Sequence, residues 1–155
     1  MIRIASQEDV NTFFAAAMID PSVSRFLGVC TYVKPYNVSE GTWNGITLID
    51  DSGKCLGRVH VDRTCRNDCS ISIYTLKPEK NKILSGKMMY SVRVAAQSFD
   101  PKFVKSMVLV TNLSSMAITK RLLGKPWGIE PDSGWDSGIC KWVDIAHFRC
   151  PIGDI

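Results

Sequence analysis

No apolar run in this 155-residue chain approaches the roughly 20 residues that a membrane-spanning helix needs. The opening MIRIASQEDV lacks the charged, apolar and small-residue zones of a secretory leader, so the chain reads as a cytoplasmic protein. There is no internal repeat, no low-complexity tract and no Pro/Gly/Ser-rich linker. One domain, residues 1–155, with one core is the economical expectation. Neither sign of charge dominates: a net +4 permits an anionic ligand without implying nucleic-acid binding. Histidine is scarce, with two in the chain, and the six cysteines match no small disulfide scaffold. They read as reduced thiols, several buried as small apolar residues. His60, Cys65 and Cys69 have a spacing that invites zinc, but a fourth ligand is missing, so no metal is expected. His147 near Cys140 and Cys150 lacks the rest of a nucleophilic triad.

What is present is an ordered series of patterned segments. IRIA (2–5) reads as a short strand. Ser6 and Asp9 form an approximate capping box before Val10, Phe13, Phe14, Ala17 and Met18, which recur at helical spacing. DPSVSRFLG starts a shorter helix at Asp20 and Pro21. TWNGITLID (42–50), KCLGRVHVDR (54–63) and CSISIYTL (69–76) read as a three-stranded antiparallel meander with turns at 51–53 and 64–68. Met88, Val92, Ala95 and Phe99 mark an amphipathic helix that ends before Pro101. FVKSMVLVT (103–111) is β-rich and apolar. NLSSMAITKRLLG is a helix capped by Ser114 or Ser115 and closed by Gly124. The turn-rich 125–138 reads as a loop, its tryptophans buried at the sheet edge, and GICKWVDIAHF (138–148) as a last strand. The strand, helix, strand order from 69 to 111 implies a parallel pair with a helical crossover. The expected fold is α/β: a mixed, twisted sheet with helices on both faces.

One stretch is odd. Lys77, Lys80, Lys82 and Lys87 crowd the loop and helix start after the strand at 69–76, where the helix dipole prefers acidic residues. An anion held at that helix terminus would account for them.

Three segments together resemble the GNAT superfamily, the Gcn5-related N-acetyltransferases. MIRIASQEDVNTFF is similar to the family's first strand and helix. SISIYTLKPEKNKILSGKMMYSV is similar to its strand, pyrophosphate loop and helix. MVLVTNLSSMAITKRLLGKPWGI is similar to its later strand, Asn and helix. The resemblance implies a pair of splayed parallel strands that hold acetyl-CoA, with the pyrophosphate on the loop. The family loop Gln/Arg-x-x-Gly-x-Gly/Ala falls here on Asn81, Lys82, Ile83, Leu84, Ser85 and Gly86. The resemblance thus implies cofactor contacts from Leu76, Asn81, Lys82, Leu84, Ser85, Gly86 and Lys87, and from Asn112 and Ser115 further on. It also implies an amine-bearing acceptor.

The chemistry would need a base for the amine, for which His60 and Asp62 are the candidates, and an acid for the leaving thiolate. The family's acid is a Tyr seven residues after the Asn. Here that position is Thr119, so Tyr74 is the substitute candidate. Leu84 stands where the family has a second Gly, and Asn81 where it has Gln or Arg. A second reading therefore accompanies the enzyme: a GNAT-fold protein, similar to small bacteriophage proteins, that works in the virion or against a host factor by binding a protein partner.

Overall fold

The computed structural model describes residues 2–4, 6–21, 25–26, 43–49, 55–63, 65–75, 93 and 99–155. The described elements run β1 (Ile2–Ile4), α1 (Gln7–Ile19), β2 (Trp43–Ile49), β3 (Cys55–Arg63), β4 (Asp68–Thr75), β5 (Phe103–Leu109), α2 (Leu113–Leu123), β6 (Gly128–Asp136) and β7 (Lys141–Pro151). A 3₁₀ turn, Ile152–Asp154, follows.

α1 starts where the sequence places it. The Ser6 hydroxyl accepts from the Asp9 N–H at 3.2 Å, and the Asp9 carboxylate accepts from the Ser6 N–H at 2.8 Å. This reciprocal cap satisfies two otherwise orphaned amides and contributes about 1 kcal/mol. Val10 and Phe14, one turn apart, are buried, and the helix lies against β3.

The strands form one sheet in the order β1-β2-β3-β4-β5-β7-β6. β1 to β4 are antiparallel neighbours, β4 and β5 are parallel, and β7 pairs antiparallel with both β5 and β6. This is the expected mixed sheet, with the parallel pair where the crossover argument put it. Period-two alternation sets the core. Val104, Ser106 and Val108 of β5 face inward with Ala146, Phe148 and Cys150 of β7, and α2 closes over them with Leu122 and Leu123. Phe148 is fully buried, which stabilises the fold by about 1.5–3 kcal/mol from side-chain burial.

Three expectations need correction. First, α2 is capped by Asn112, not by Ser114 or Ser115: its side-chain oxygen accepts from the Ser115 N–H at 3.2 Å. The helix begins one residue before the serines, so Asn112 is the residue that can reach the N3 amide. At the other end Gly124 takes φ 80°, as expected of a closing glycine. Second, 125–138 is not a loop but contains β6. Its turn residues sit inside the strand as an irregularity between Glu130 and Gly134. There Asp132 has φ 47° and the Asp144 carboxylate accepts from its N–H at 3.1 Å, in place of a ladder bond. Gly134 is buried, and the space a side chain would take is filled by Leu109 and Ile145. Third, β7 starts at Lys141 rather than 138, after a turn in which Cys140 has φ 50°. Trp127 and Trp142 are 71% and 54% exposed rather than buried at the edge.

Of the second helix, Pro21 and the turn at Arg25 and Phe26 lie within the described residues and 22–24 do not. The lysine-bearing stretch 76–92 is also outside them.

Candidate functional site: an opening between two parallel strands

β4 and β5 are hydrogen-bonded neighbours at only three positions: Asp68 with Phe103, Cys69 with Val104, and Ser70 with Lys105. Both strands continue, to Thr75 and Leu109, without pairing further. On their outer edges both remain zipped, β4 to β3 as far as Thr75 and β5 to β7 as far as Leu109. The sheet is therefore opened between two strands that are each held flat from behind.

The opening starts at a defined point. The Ser106 hydroxyl, on a residue only 7% exposed, donates to the Ile71 carbonyl at 3.2 Å. A side chain replaces the next ladder bond. In a strand the N–H and C=O of one residue point to the same edge and alternate residues to opposite edges. Ile71 points towards β5, so Ile73 and Thr75 aim their backbone groups into the opening as well. Backbone polar groups in such a place need partners, and β5 does not supply them. The opening thus has the donor and acceptor pattern of a strand edge and suits a ligand that carries amides.

At the C-terminal end of β5 the chain turns through Thr111 into α2. The Asn112 oxygen is used by the Ser115 amide, which leaves the Asn112 NH₂ available to a ligand. Thr119, two turns into α2, is buried at 5% exposure. It belongs to the core side of the helix, so it is not placed to act as an acid. Beside Thr111 lies Asp136, a fully buried carboxylate. It accepts from the Arg25 guanidinium twice, Nε and Nη2 both at 2.7 Å, from the Thr111 hydroxyl at 2.6 Å and from the Gly138 N–H at 2.9 Å. The Arg25 hydrogen bonds above all, then those of Thr111 and Gly138, hold its carboxyl well below the usual carboxylate range against the opposing effect of burial.

The sequence-derived site residues fall into three groups. His60, Asp62 and Tyr74 sit on adjacent strands with His60 opposite Ser72, Asp62 opposite Ser70 and Tyr74 opposite Arg58. Those register positions share one face of the sheet, so the backbone brings the three candidates for proton transfer to the same side. Asn112 and Ser115 are brought together at the start of α2. Leu76, Asn81, Lys82, Leu84, Ser85, Gly86 and Lys87 lie outside the described residues. Sequence reasoning missed Ser106, Thr111, Arg25 and Asp136. Ser106 carried one signal, a hydroxyl at an inward position of an apolar strand. Arg25 and Asp136 carried none, being 111 residues apart.

The zinc-like spacing dissolves on folding. Cys69 is fully buried in the apolar core while Cys65 is exposed, and burial pushes the Cys69 thiol up to about 11. Among the described residues no group of three or more His, Cys, Asp or Glu could hold a metal ion, and no helix is long and apolar enough to cross a membrane.

No protein-family model matches the sequence, and no curated protein matches it either. Solved structures do match. The spermidine N-acetyltransferase of Vibrio cholerae, in complex with CoA and spermine, superposes with a TM-score of 0.78 at 10% identity, over 99% of this chain and 96% of that one. An N-acetyltransferase from Staphylococcus aureus Mu50 gives a TM-score of 0.74 at 19% identity, over 98% of each chain. The chain has the fold of the GNAT N-acetyltransferases.

Proposed function

We propose that this chain, as a single domain of residues 1–155, is an acyl-CoA-dependent N-acyltransferase acting in the cytoplasm. It transfers an acetyl group to an amine of a small molecule or a protein. One observation carries the reading: β4 and β5 part after three paired positions and leave the backbone of Ile73 and Thr75 unpaired in the gap. That edge would hold the amide-bearing arm of CoA as a third strand would be held. The fold neighbour that contains CoA and spermine supports the same reading.

Acetyl-CoA, when bound, supplies the activated acyl thioester. The chain's residues do the rest. Backbone N–H groups of β4 in the opening donate to the acyl oxygen as charge develops on it. His60 or Asp62 takes the proton that the acceptor ammonium must lose before it can attack. Tyr74 returns a proton to the departing sulfur. The Asn112 NH₂ and the Ser115 hydroxyl steady the arm at the start of α2. The loop from Leu76 to Lys87, with Asn81, Lys82, Leu84, Ser85 and Gly86, takes the pyrophosphate, its lysines offsetting the anion. Slow turnover is expected. Thr119 cannot serve as the acid, and loss of a positioned general acid costs about 10²–10⁴-fold in rate.

Calorimetry with CoA, dephospho-CoA and pyrophosphate tests the reading. CoA should bind with a Kd of roughly micromolar to millimolar. Gly86→Phe should abolish that binding, and Lys82→Glu should weaken pyrophosphate as well. No binding of CoA at millimolar concentration, with Gly86→Phe indistinguishable from wild type towards pyrophosphate, would overturn it. The chain would then be a GNAT-fold protein that works by binding another protein.

A further inference from the structure

We propose that Arg25 and Asp136 form a clamp that positions the acceptor side of the acyl-transfer site, so that Arg25 governs binding of the amine and not of acetyl-CoA. The proposal rests on the acyltransferase reading above.

The clamp is built from three parts of the chain that converge on one carboxylate. Arg25 lies in the turn that follows α1. Thr111 follows the open arm of β5. Asp136, Ser137 and Gly138 lead from β6 towards β7. Asp136 takes the guanidinium as a bidentate pair and is fully buried there. The Ser137 hydroxyl donates to the Arg25 carbonyl at 3.0 Å, so residue 25 is held by both its side chain and its backbone. The guanidinium also lies over the Phe26 ring, 4.8 Å from its centre. Gly138 has no side chain because the guanidinium occupies that space: a Cβ there would run into Arg25 Nε and Cδ.

Two features give this clamp its role. Its position is the mouth of the opening, since Thr111 immediately precedes Asn112 and follows the last paired residue of β5 by two. Its charge is spent. A guanidinium whose donors meet a buried carboxylate is not available to hold a phosphate, so Arg25 does not serve CoA. The anionic end of CoA has its own candidates in the loop after β4 and at the start of α2. The segment around Arg25 therefore borders the part of the mouth left to the acceptor. A bidentate pair suits the task because it fixes orientation as well as distance.

Steady-state acetyl transfer decides the matter, with acetyl-CoA and a panel of one polyamine and one peptide with a free amino terminus. Arg25→Ala should raise the KM for amine by about tenfold or more, as misplacement of a positioning wall does. The KM for acetyl-CoA should stay within about twofold, because the clamp does not touch the CoA contacts. Arg25→Lys should restore only part of the loss, because an ammonium cannot reproduce the fork. Ser137→Ala leaves the ion pair intact and spares the fold if Arg25→Ala does not. It should raise the amine KM alone, by a smaller factor. Equal changes in both KM values, or none in either variant, would overturn the proposal. A wild-type protein that neither binds CoA nor releases thiol would refute the acyltransferase reading instead. Amide exchange at Gly138, whose N–H bonds to Asp136, then decides the clamp: faster exchange in Arg25→Ala upholds it, and unchanged protection overturns it.

Discussion

β5 has two edges with opposite fates. Towards β7 it is paired at every position from Phe103 to Leu109. Towards β4 it is paired at three and then free. The residues that carry the closed edge are apolar and inward-facing, Val104, Val108, Ala146 and Phe148. The residue that ends the other ladder is polar, Ser106. The contrast teaches that the opening is no failure of the sheet to form. It is a place where pairing stops because a hydroxyl satisfies the last carbonyl, while packing behind the strands keeps both of them straight.

The largest expected effect tests the closed edge. Phe148→Ala removes a fully buried ring and should cost about 3–5 kcal/mol in denaturant unfolding. A loss under 1 kcal/mol would mean that β7 does not brace β5. The next tests the open edge. Ser106→Val keeps the volume and removes the donor to Ile71, so a buried carbonyl is left unpaired. A destabilisation of about 1–3 kcal/mol is expected, together with weaker CoA binding by calorimetry if the throat of the opening shifts. An unchanged midpoint would show that water or backbone replaces the hydroxyl. The smallest lies on the outward face of the same strands. There Arg149 pairs with Asp68 at 3.1 Å and stacks 3.7 Å over Phe103, but it is 43% exposed. Arg149→Ala should cost about 0.2–1 kcal/mol, and less at high salt. A larger loss would move the weight of the contrast from the core to the surface.

Much of this was legible in the sequence. The parallel pair follows from two β-rich runs with a helical pattern between them, because only a crossover can join strands that run the same way. The capping box at Ser6 and Asp9 is a local device and reads directly from spacing. β6 was hidden because Pro131, Asp132 and Gly134 are turn residues by local chemistry, and only pairing with β7 makes a strand of them. Asn112 was recognised as a site residue but not as the cap, because three candidates lie within four residues and the helix start decides among them. The Arg25–Asp136 pair has no local signature at all: two charged residues far apart in sequence look like solvated surface until the fold buries one of them.

Gly134 carries a consequence of a different kind. It belongs to the outermost strand of the sheet, two strands away from the opening, yet the space its missing side chain leaves is filled by Leu109 and Ile145. Leu109 is the last paired residue of β5, the arm that borders the gap. Any bulk placed at 134 must push that arm. Random mutagenesis scored for altered acyl-chain preference should therefore return changes at this remote edge position, with no ligand contact of their own. An engineer who wants a wider gap has a lever outside it.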